Sequence, residues 1–381
     1  MDYAATTPLR KSAFAAMEPF LGAAYGNASG VYTLAREAKR AIETAREQIA
    51  AAIGARTDEI FFTGSGTEAN NWALQRGGDL SKTLIISSQT EHHSILYVCE
   101  ALSKENGENI FLAPNSEGII LASDFEAALK ENANKIRLAS IMWANNETGA
   151  LIDSRLPALA KEYGVLFHTD AIQAIGHVPV NVQNGEISML SMSAHKFGGP
   201  KGIGALYIRK GTKIKPLIYG GAHERNMRAG TENVASIVGM GVAITEAISE
   251  LESEQKRLRD LTDALTNYII KEVPDTTANG PIDATQRLPN IANIQFNHIE
   301  GEGIILLLDS SGISVSAGSA CTSATLEPSH VLAAMGVPHE KIHGSVRFSL
   351  GRESTQKDVD ELLAVLPKVV KNLRAMSPVK F

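Results

Sequence analysis

At 381 residues the chain is long enough for two or three units and for a core that needs no staples. Its 36 basic and 42 acidic residues leave a net charge of −6 with no long basic run, which removes any electrostatic case for nucleic acid. Two cysteines, Cys99 and Cys321, are too few for a disulfide framework and fit a reducing compartment.

The N-terminus, Met-Asp-Tyr-Ala-Ala-Thr-Thr-Pro, has the pattern of neither a signal peptide nor a transit peptide. No apolar run approaches the roughly 20 residues that span a bilayer. The expectation is a soluble, cytoplasmic protein with no membrane partner and no direct nucleic-acid partner. Short buried strands are predicted at Glu59–Thr63, Thr83–Ser87, Ile136–Trp143, Val165–His168, Ile187–Met192 and Gly204–Ile208. Helical stretches lie between them, at Ser123–Asn132 and Leu156–Tyr163. Strands alternating with helices predict an α/β fold with a mostly parallel sheet covered on both faces. A long amphipathic pattern from Val234 to about Ile270 reads as a helix, with room for one break, that joins two domains. Strands at Asn293–Phe296, Ile313–Ser316 and Ser345–Ser349 and a final helix at Lys357–Ala375 then predict a smaller α+β domain.

In open parallel sheets ligands bind beyond the carboxyl ends of the strands, and the chemically unusual residues cluster there. Gly64-Ser-Gly66-Thr67 follows a strand and opens a helix, so its amides suit a phosphate. It also fits the relaxed dinucleotide pattern, but the acid such a site needs is displaced: Glu91 lies 25 residues beyond Gly66, past the strand end. Asp170 ends a strand, where it serves either as a helix N-cap or as the partner of a protonated pyridine nitrogen. Ser193-Ala-His195-Lys196 ends the next strand, with its lysine 26 residues after Asp170. Lys196 is then either a solvated strand cap or an amine desolvated enough to form a Schiff base. A phosphate turn, a strand-end Asp and a strand-end Ser-x-His-Lys, in that order, resemble the order used by pyridoxal-phosphate (PLP) enzymes of the aspartate-aminotransferase fold. Cys321 sits among small polar residues, where a thiol can ionise, whereas Cys99 sits among apolar helix positions and reads as core. No metal site is expected.

With these residues in view, the chain resembles the class V aminotransferase-like proteins and, within them, cysteine desulfurases of the NifS/IscS type. The resemblance is carried by DYAATTP (2–8), YGNAS (25–29), Thr90-Glu-His92, NNETG (145–149), HTDAIQ (168–173) and SAHKFGGPKGIGALYIR (193–209). It continues in GGAHERNMRAGT (220–231), GSACTSATLEPSHVL (318–332) and SVRFSLGR (345–352). It implies a PLP-dependent transferase of fold type I, with a large PLP-binding domain at 12–250. Segments 1–11 and 251–381 would form a small domain carrying the catalytic cysteine loop.

Residue by residue, the resemblance makes Lys196 the Schiff-base lysine and stacks His92 on the pyridine ring. It pairs Asp170 with the ring nitrogen and sets Gln173 against the ring hydroxyl. Gly66, Thr67, Ser193 and His195 would hold the phosphate, and Thr231 would reach the phosphate of the partner subunit in a homodimer. Asn145 and Arg347 would clamp the substrate carboxylate, and Cys321 would take the sulfur. The implied reaction converts L-cysteine to L-alanine and passes a persulfide to an acceptor protein, for iron–sulfur clusters or for thio-cofactor, tRNA or DNA modification. A selenocysteine lyase or an aminotransferase of the same fold is the alternative. The chain departs from the family at its ends, having fewer residues before DYAATTP and a shorter tail than the housekeeping members that dock an iron–sulfur scaffold. The acceptor is therefore left open.

Overall fold

The computed structural model describes residues 1–105, 107–183, 185–317 and 328–376. Seven strands form the larger sheet: β1 (Ile60–Thr63), β2 (Leu84–Ser88), β3 (Glu108–Leu112), β4 (Ile136–Ser140), β5 (Phe167–Asp170), β6 (Met189–Ser193) and β7 (Gly204–Ile208). Their order is β1-β7-β6-β5-β4-β2-β3. The run from β3 to β6 is parallel, and β7 lies antiparallel between β6 and β1. Strands β2, β4 and β6 are buried throughout, as strands covered on both faces must be.

The pleat sends neighbouring residues to opposite faces. Ile86 joins a core with Ile42, Ile49, Met240 and Ile244, whereas Ile85 joins Trp72, Leu74, Cys99 and Leu138 on the other side. The helix Thr33–Ile53 and the helix Val234–Ser249 pack closely on the first face. Gly241 permits that approach, because a Cβ there would stand 2.8 Å from the Cα of Ala45.

A second sheet contains β8 (Thr276–Asn279), β9 (Ile291–Phe296), β10 (Ser316–Ala317) and β11 (Ser345–Ser349), in the order β10-β11-β9-β8 and antiparallel throughout. It has its own core, in which Ile294, Phe296, Val346 and Phe348 pack with Leu258, Leu265, Leu362 and Leu366. The long pattern from Val234 resolves into two helices, Val234–Ser249 and Leu251–Glu272, bent by 71°. The bend lets one stretch of chain serve both cores. Among the described residues no single helix is long and apolar enough to cross a membrane.

The N-terminal segment stitches the two sheets together. Ala4 N–H donates to Ser349 Oγ at 2.9 Å, on β11, and Thr7 N–H donates to the carbonyl of His195 at 3.0 Å, just beyond β6. Residues 2–8 therefore run across the carboxyl ends of the parallel strands, where the candidate site lies.

Candidate active site

A cavity of about 300 Å³ opens at that end of the sheet. Gly66, Thr67, His92, Asp170, Gln173, Ser193, His195, Lys196 and Arg347 all line it. All but Arg347 lie at or just beyond the end of a strand of the larger sheet; Arg347 comes from the middle of β11. Ser65 is the N-cap of the helix Gly66–Arg76, its hydroxyl accepting the N–H of Glu68 at 3.1 Å. The first amides of that 11-residue helix are left at the positive end of its dipole, facing the Ser193–His195 turn. Gly66 is required there, since a Cβ would stand 2.3 Å from Ile172 Cδ1 and 3.1 Å from Ser193 Cβ.

Asp170, nearly fully buried, is held from two sides. Its Oδ1 accepts the N–H of Ile172 at 2.9 Å, and its Oδ2 accepts Asn70 Nδ2 at 2.7 Å. The second amide hydrogen of Asn70 goes to Ser94 Oγ at 2.8 Å. Ser94 in turn holds His92: its N–H donates to His92 Nδ1 at 3.1 Å, and its hydroxyl lies 2.8 Å from the same nitrogen. A ring nitrogen that accepts a backbone N–H carries a lone pair, so the neutral His92 ring has its proton on Nε2. Burial is the main influence on this ring and keeps its pKa below the ordinary histidine value.

Lys196 Nζ donates to the carbonyls of Ala4 and Ala5, the latter at 2.9 Å, and Gln173 Nε2 donates to the Ala4 carbonyl at 2.9 Å. His195 Nδ1 lies 3.1 Å from Thr6 Oγ1. Burial, then the neighbouring Lys196 and Lys201, pull its pKa down to about 4, so the ring is neutral near pH 7. Arg347 projects from β11 of the other sheet, donating to the carbonyl of Asn146 at 2.8 Å and pairing with Asp2 at 2.9 Å. Its Nε is buried and has no hydrogen-bond partner among the described residues.

Three expected residues stand apart from this set. Asn145 does not line the cavity. Its Oδ1 accepts the N–H groups of Glu147 and Thr148, both at 2.9 Å, and its Nδ2 donates to the carbonyl of Thr90 at 3.0 Å. A side chain so committed organises its own turn, and the neighbouring Asn146 lines the cavity in its place. Thr231 is exposed and lies outside the cavity of its own chain. Cys321 lies outside the described residues. Cys99 is buried in the core, where burial pushes its thiol up to about 12, as expected of an inert cysteine.

Several participants escaped the sequence reading. Asn70 was detectable as a polar residue on the buried face of its helix, one turn after Gly66. Glu91 is fully buried and accepts the N–H of Met142 at 2.8 Å, fixing the turn that carries His92. Glu147 and His330 reach the cavity through tertiary packing alone.

The donor set suits PLP. Helix amides, a serine hydroxyl and a neutral imidazole line the cavity together with a carboxylate that has both oxygens anchored. Lys196 lines the same cavity and its amine, bonded to the N-terminal segment, is of the type that could hold the aldehyde of PLP.

The comparisons with known proteins agree with this geometry. The class-V aminotransferase family profile matches residues 1–362. The cysteine desulfurase IscS of Dictyoglomus turgidum is 50% identical over 384 aligned positions, covering 100% of this chain and 96% of that protein. A solved NifS-like protein superposes with a TM-score of 0.90 at 33% identity, covering 98% of this chain and 99% of that one. The structure of SspA in complex with cysteine superposes with a TM-score of 0.79 at 31% identity, covering 92% and 97%. With fold type I architecture and a match over essentially its whole length, the chain belongs to the class-V aminotransferase family, among its PLP-dependent cysteine desulfurases of the NifS/IscS type.

Proposed function

We infer that the chain is a cysteine desulfurase that converts L-cysteine to L-alanine and leaves the sulfur as a persulfide on Cys321. The observation that carries this reading is the convergence on one cavity of Lys196, Asp170 and His92, from strand ends and turns of the larger sheet, with Arg347, from the middle of β11 in the second sheet. When bound, PLP supplies the electron sink that a bond-breaking step at an amino acid requires. The residues of this chain do the rest. Gly66, Thr67, Ser193 and His195 hold the phosphate. Asp170, fixed by Asn70 and by the Ile172 amide, keeps the ring nitrogen protonated. His92 covers the ring and offers its Nε2 proton, and Gln173 approaches the ring hydroxyl. Arg347 and Asn146 grip the substrate carboxylate, a task suited to the guanidinium fork. Lys196 holds the cofactor and then moves the Cα proton. The Cys321 thiolate forms the S–S bond as the substrate Cβ–S bond breaks; the electron pair of that bond stays with the carbon, which takes up a proton and becomes alanine.

The active enzyme is read as a cytoplasmic homodimer in which Thr231 reaches the partner subunit's phosphate. The exposed Thr231 and the exposed Tyr25, Val31, Tyr32 and Tyr219 support that arrangement. The two hydrophobic cores support a division into a large domain at 12–250 and a small domain formed by 1–11 and 251–381. A sulfur-acceptor protein completes the cycle by thiol exchange. Lys196→Ala tests the reading: the visible absorption of the lysine-bound cofactor and cysteine turnover should vanish together. An unchanged spectrum and rate would exclude it.

A further inference from the structure

His330 lines the cavity, and no step described above uses it. It opens the short helix His330–Ala334, and its ring centroid stands 4.7 Å from that of His93. Its Nε2 is 2.9 Å from the carbonyl oxygen of Glu91. A carbonyl oxygen has no proton to give, so Nε2 is the donor. Burial, outweighing that hydrogen bond, holds the pKa of the ring below the ordinary histidine value. The ring is then neutral near pH 7, and Nδ1 is left as a bare lone pair. Among the described residues nothing is hydrogen-bonded to Nδ1.

His92 has the opposite tautomer, with Nδ1 occupied by Ser94 and the proton on Nε2. The wall of one cavity thus carries an imidazole that can only donate and another that can only accept. On the reading above, Arg347 takes the carboxylate of a bound cysteine and the cofactor side takes its amine. What remains is the thiol, a weak donor that calls for an acceptor.

We propose that Nδ1 of His330 accepts a hydrogen bond from the S–H of substrate cysteine and so determines specificity for that side chain. The assignment rests on the cysteine desulfurase reading and adds a consequence to it. Alanine, the product, has a methyl group in place of the thiol and loses this contact, which favours exchange of product for substrate. A selenol, ionised near pH 7, cannot donate either, so the contact selects cysteine over selenocysteine.

The test uses the holoenzyme and two unreactive probes, L-serine and L-alanine, with dissociation constants read from the cofactor absorption. Wild type should bind serine roughly three- to tenfold more tightly than alanine, the effect of about one net hydrogen bond. His330→Gln keeps an N–H for the Glu91 carbonyl but removes the acceptor at the Nδ1 position. It should erase the serine preference, leave alanine binding unchanged within about twofold, and lower kcat/KM for cysteine by the same factor as the lost preference. His330→Asn, whose amide oxygen lies near the Nδ1 position, should retain part of the preference. A wild-type ratio near one overturns the proposal by itself. So does an intact preference in His330→Gln, or equal weakening of serine and alanine, which marks a purely structural role. Failure of wild type to turn over cysteine would instead sink the functional reading, and the serine–alanine ratio would still report on His330.

Discussion

Asp2 and Arg347, 345 positions apart in the chain, form an ion pair at 2.9 Å, with Arg347 lining the cavity and Asp2 behind it. Arg347 is almost fully buried, whereas Asp2 is partly open. The guanidinium that we propose grips the substrate carboxylate is thus already paired with a carboxylate of its own chain. The pair keeps the buried charge compensated and holds the fork in position, at the cost of competing with the substrate.

That competition gives the first prediction. Arg347→Lys should raise the KM for cysteine roughly tenfold or more, because a point charge cannot replace the fork, and should leave the cofactor spectrum unchanged. Asp2→Asn removes the competing anion and should lower KM by about two- to threefold at similar kcat, a small effect like that of other partly exposed pairs. Steady-state kinetics decide. A rise in KM for Asp2→Asn would mean that the pair serves positioning above all.

The second prediction concerns Asn70, whose amide is shared between Asp170 and Ser94. Asn70→Leu leaves a buried Asp170 oxygen without its donor and frees Ser94 from its place beside His92. The loss should lower kcat by about 10-fold, in line with the roughly 1–3 kcal/mol of an unsatisfied buried partner. The cofactor band should shift as the ring nitrogen loses an oriented carboxylate. A wild-type spectrum with wild-type kcat would remove Asn70 from the site.

Glu224 anchors the loop that leads to Thr231. It accepts both Nη atoms of Arg46 at 2.8 Å and the N–H of Phe62 at 2.8 Å, and all of this is buried. Glu224, Arg225 and Asn226 have φ values of 45°, 56° and 65°, three consecutive non-glycine residues in a region that such residues rarely adopt. Glu224→Ala should destabilise the protein by about 3–5 kcal/mol, since it removes the buried carboxylate from both Nη atoms of Arg46 and leaves only Glu43 and the Ile60 carbonyl as partners. It should also weaken cofactor retention in the dimer, where the loop is expected to act across the interface. Calorimetry and equilibrium dialysis measure the two effects. A stable variant with undiminished cofactor would show that the loop holds its shape without the pair.

Glu91 gives a pH signature. Burial pushes its carboxyl up to about 8, with Asp170 adding to the rise and the Met142 amide and Ser88 hydroxyl opposing it. The unfolded chain releases this proton near the ordinary value of 4.5, whereas the folded chain keeps it until about 8. Stability from Glu91 is therefore complete below the unfolded value and is lost as pH rises through the folded one. Glu91→Gln stays neutral at every pH. Its melting temperature should gain on that of wild type as pH rises from about 5 to about 8, and the gap should then level off. A gap that is constant with pH would contradict the assignment.

Much of this site was legible because the parallel strands end in it. Asp170, Ser193 and Lys196 are strand-end residues, and a buried strand announces itself by an unbroken apolar run. What stayed hidden depends on tertiary choice. Asn145 and Asn146 are adjacent and chemically identical; only the folded turn decides which one is consumed by its own amides. Asn70, Glu147 and His330 are polar residues whose partners lie far off in the chain, so their place in the sequence does not reveal what they touch. The edge strands β3 and β8 were missed for a related reason. Glu108 and Asn109 open β3, and β8 is Thr-Thr-Ala-Asn, half exposed, so neither shows the apolar run of a buried strand. The long Val234 pattern reads as nearly continuous helix because both halves are helical, and the bend is set by the two cores that they serve.

The most direct test of the account is one turnover of the wild-type holoenzyme with L-cysteine in the absence of reductant. Alanine should form in a one-to-one ratio with active sites, and mass spectrometry should find one additional sulfur on the peptide containing Cys321. Cys321→Ser should keep the cofactor spectrum and form essentially no alanine. Sulfur on Cys99, or full desulfuration by Cys321→Ser, would contradict the account and favour a lyase that needs no acceptor thiol.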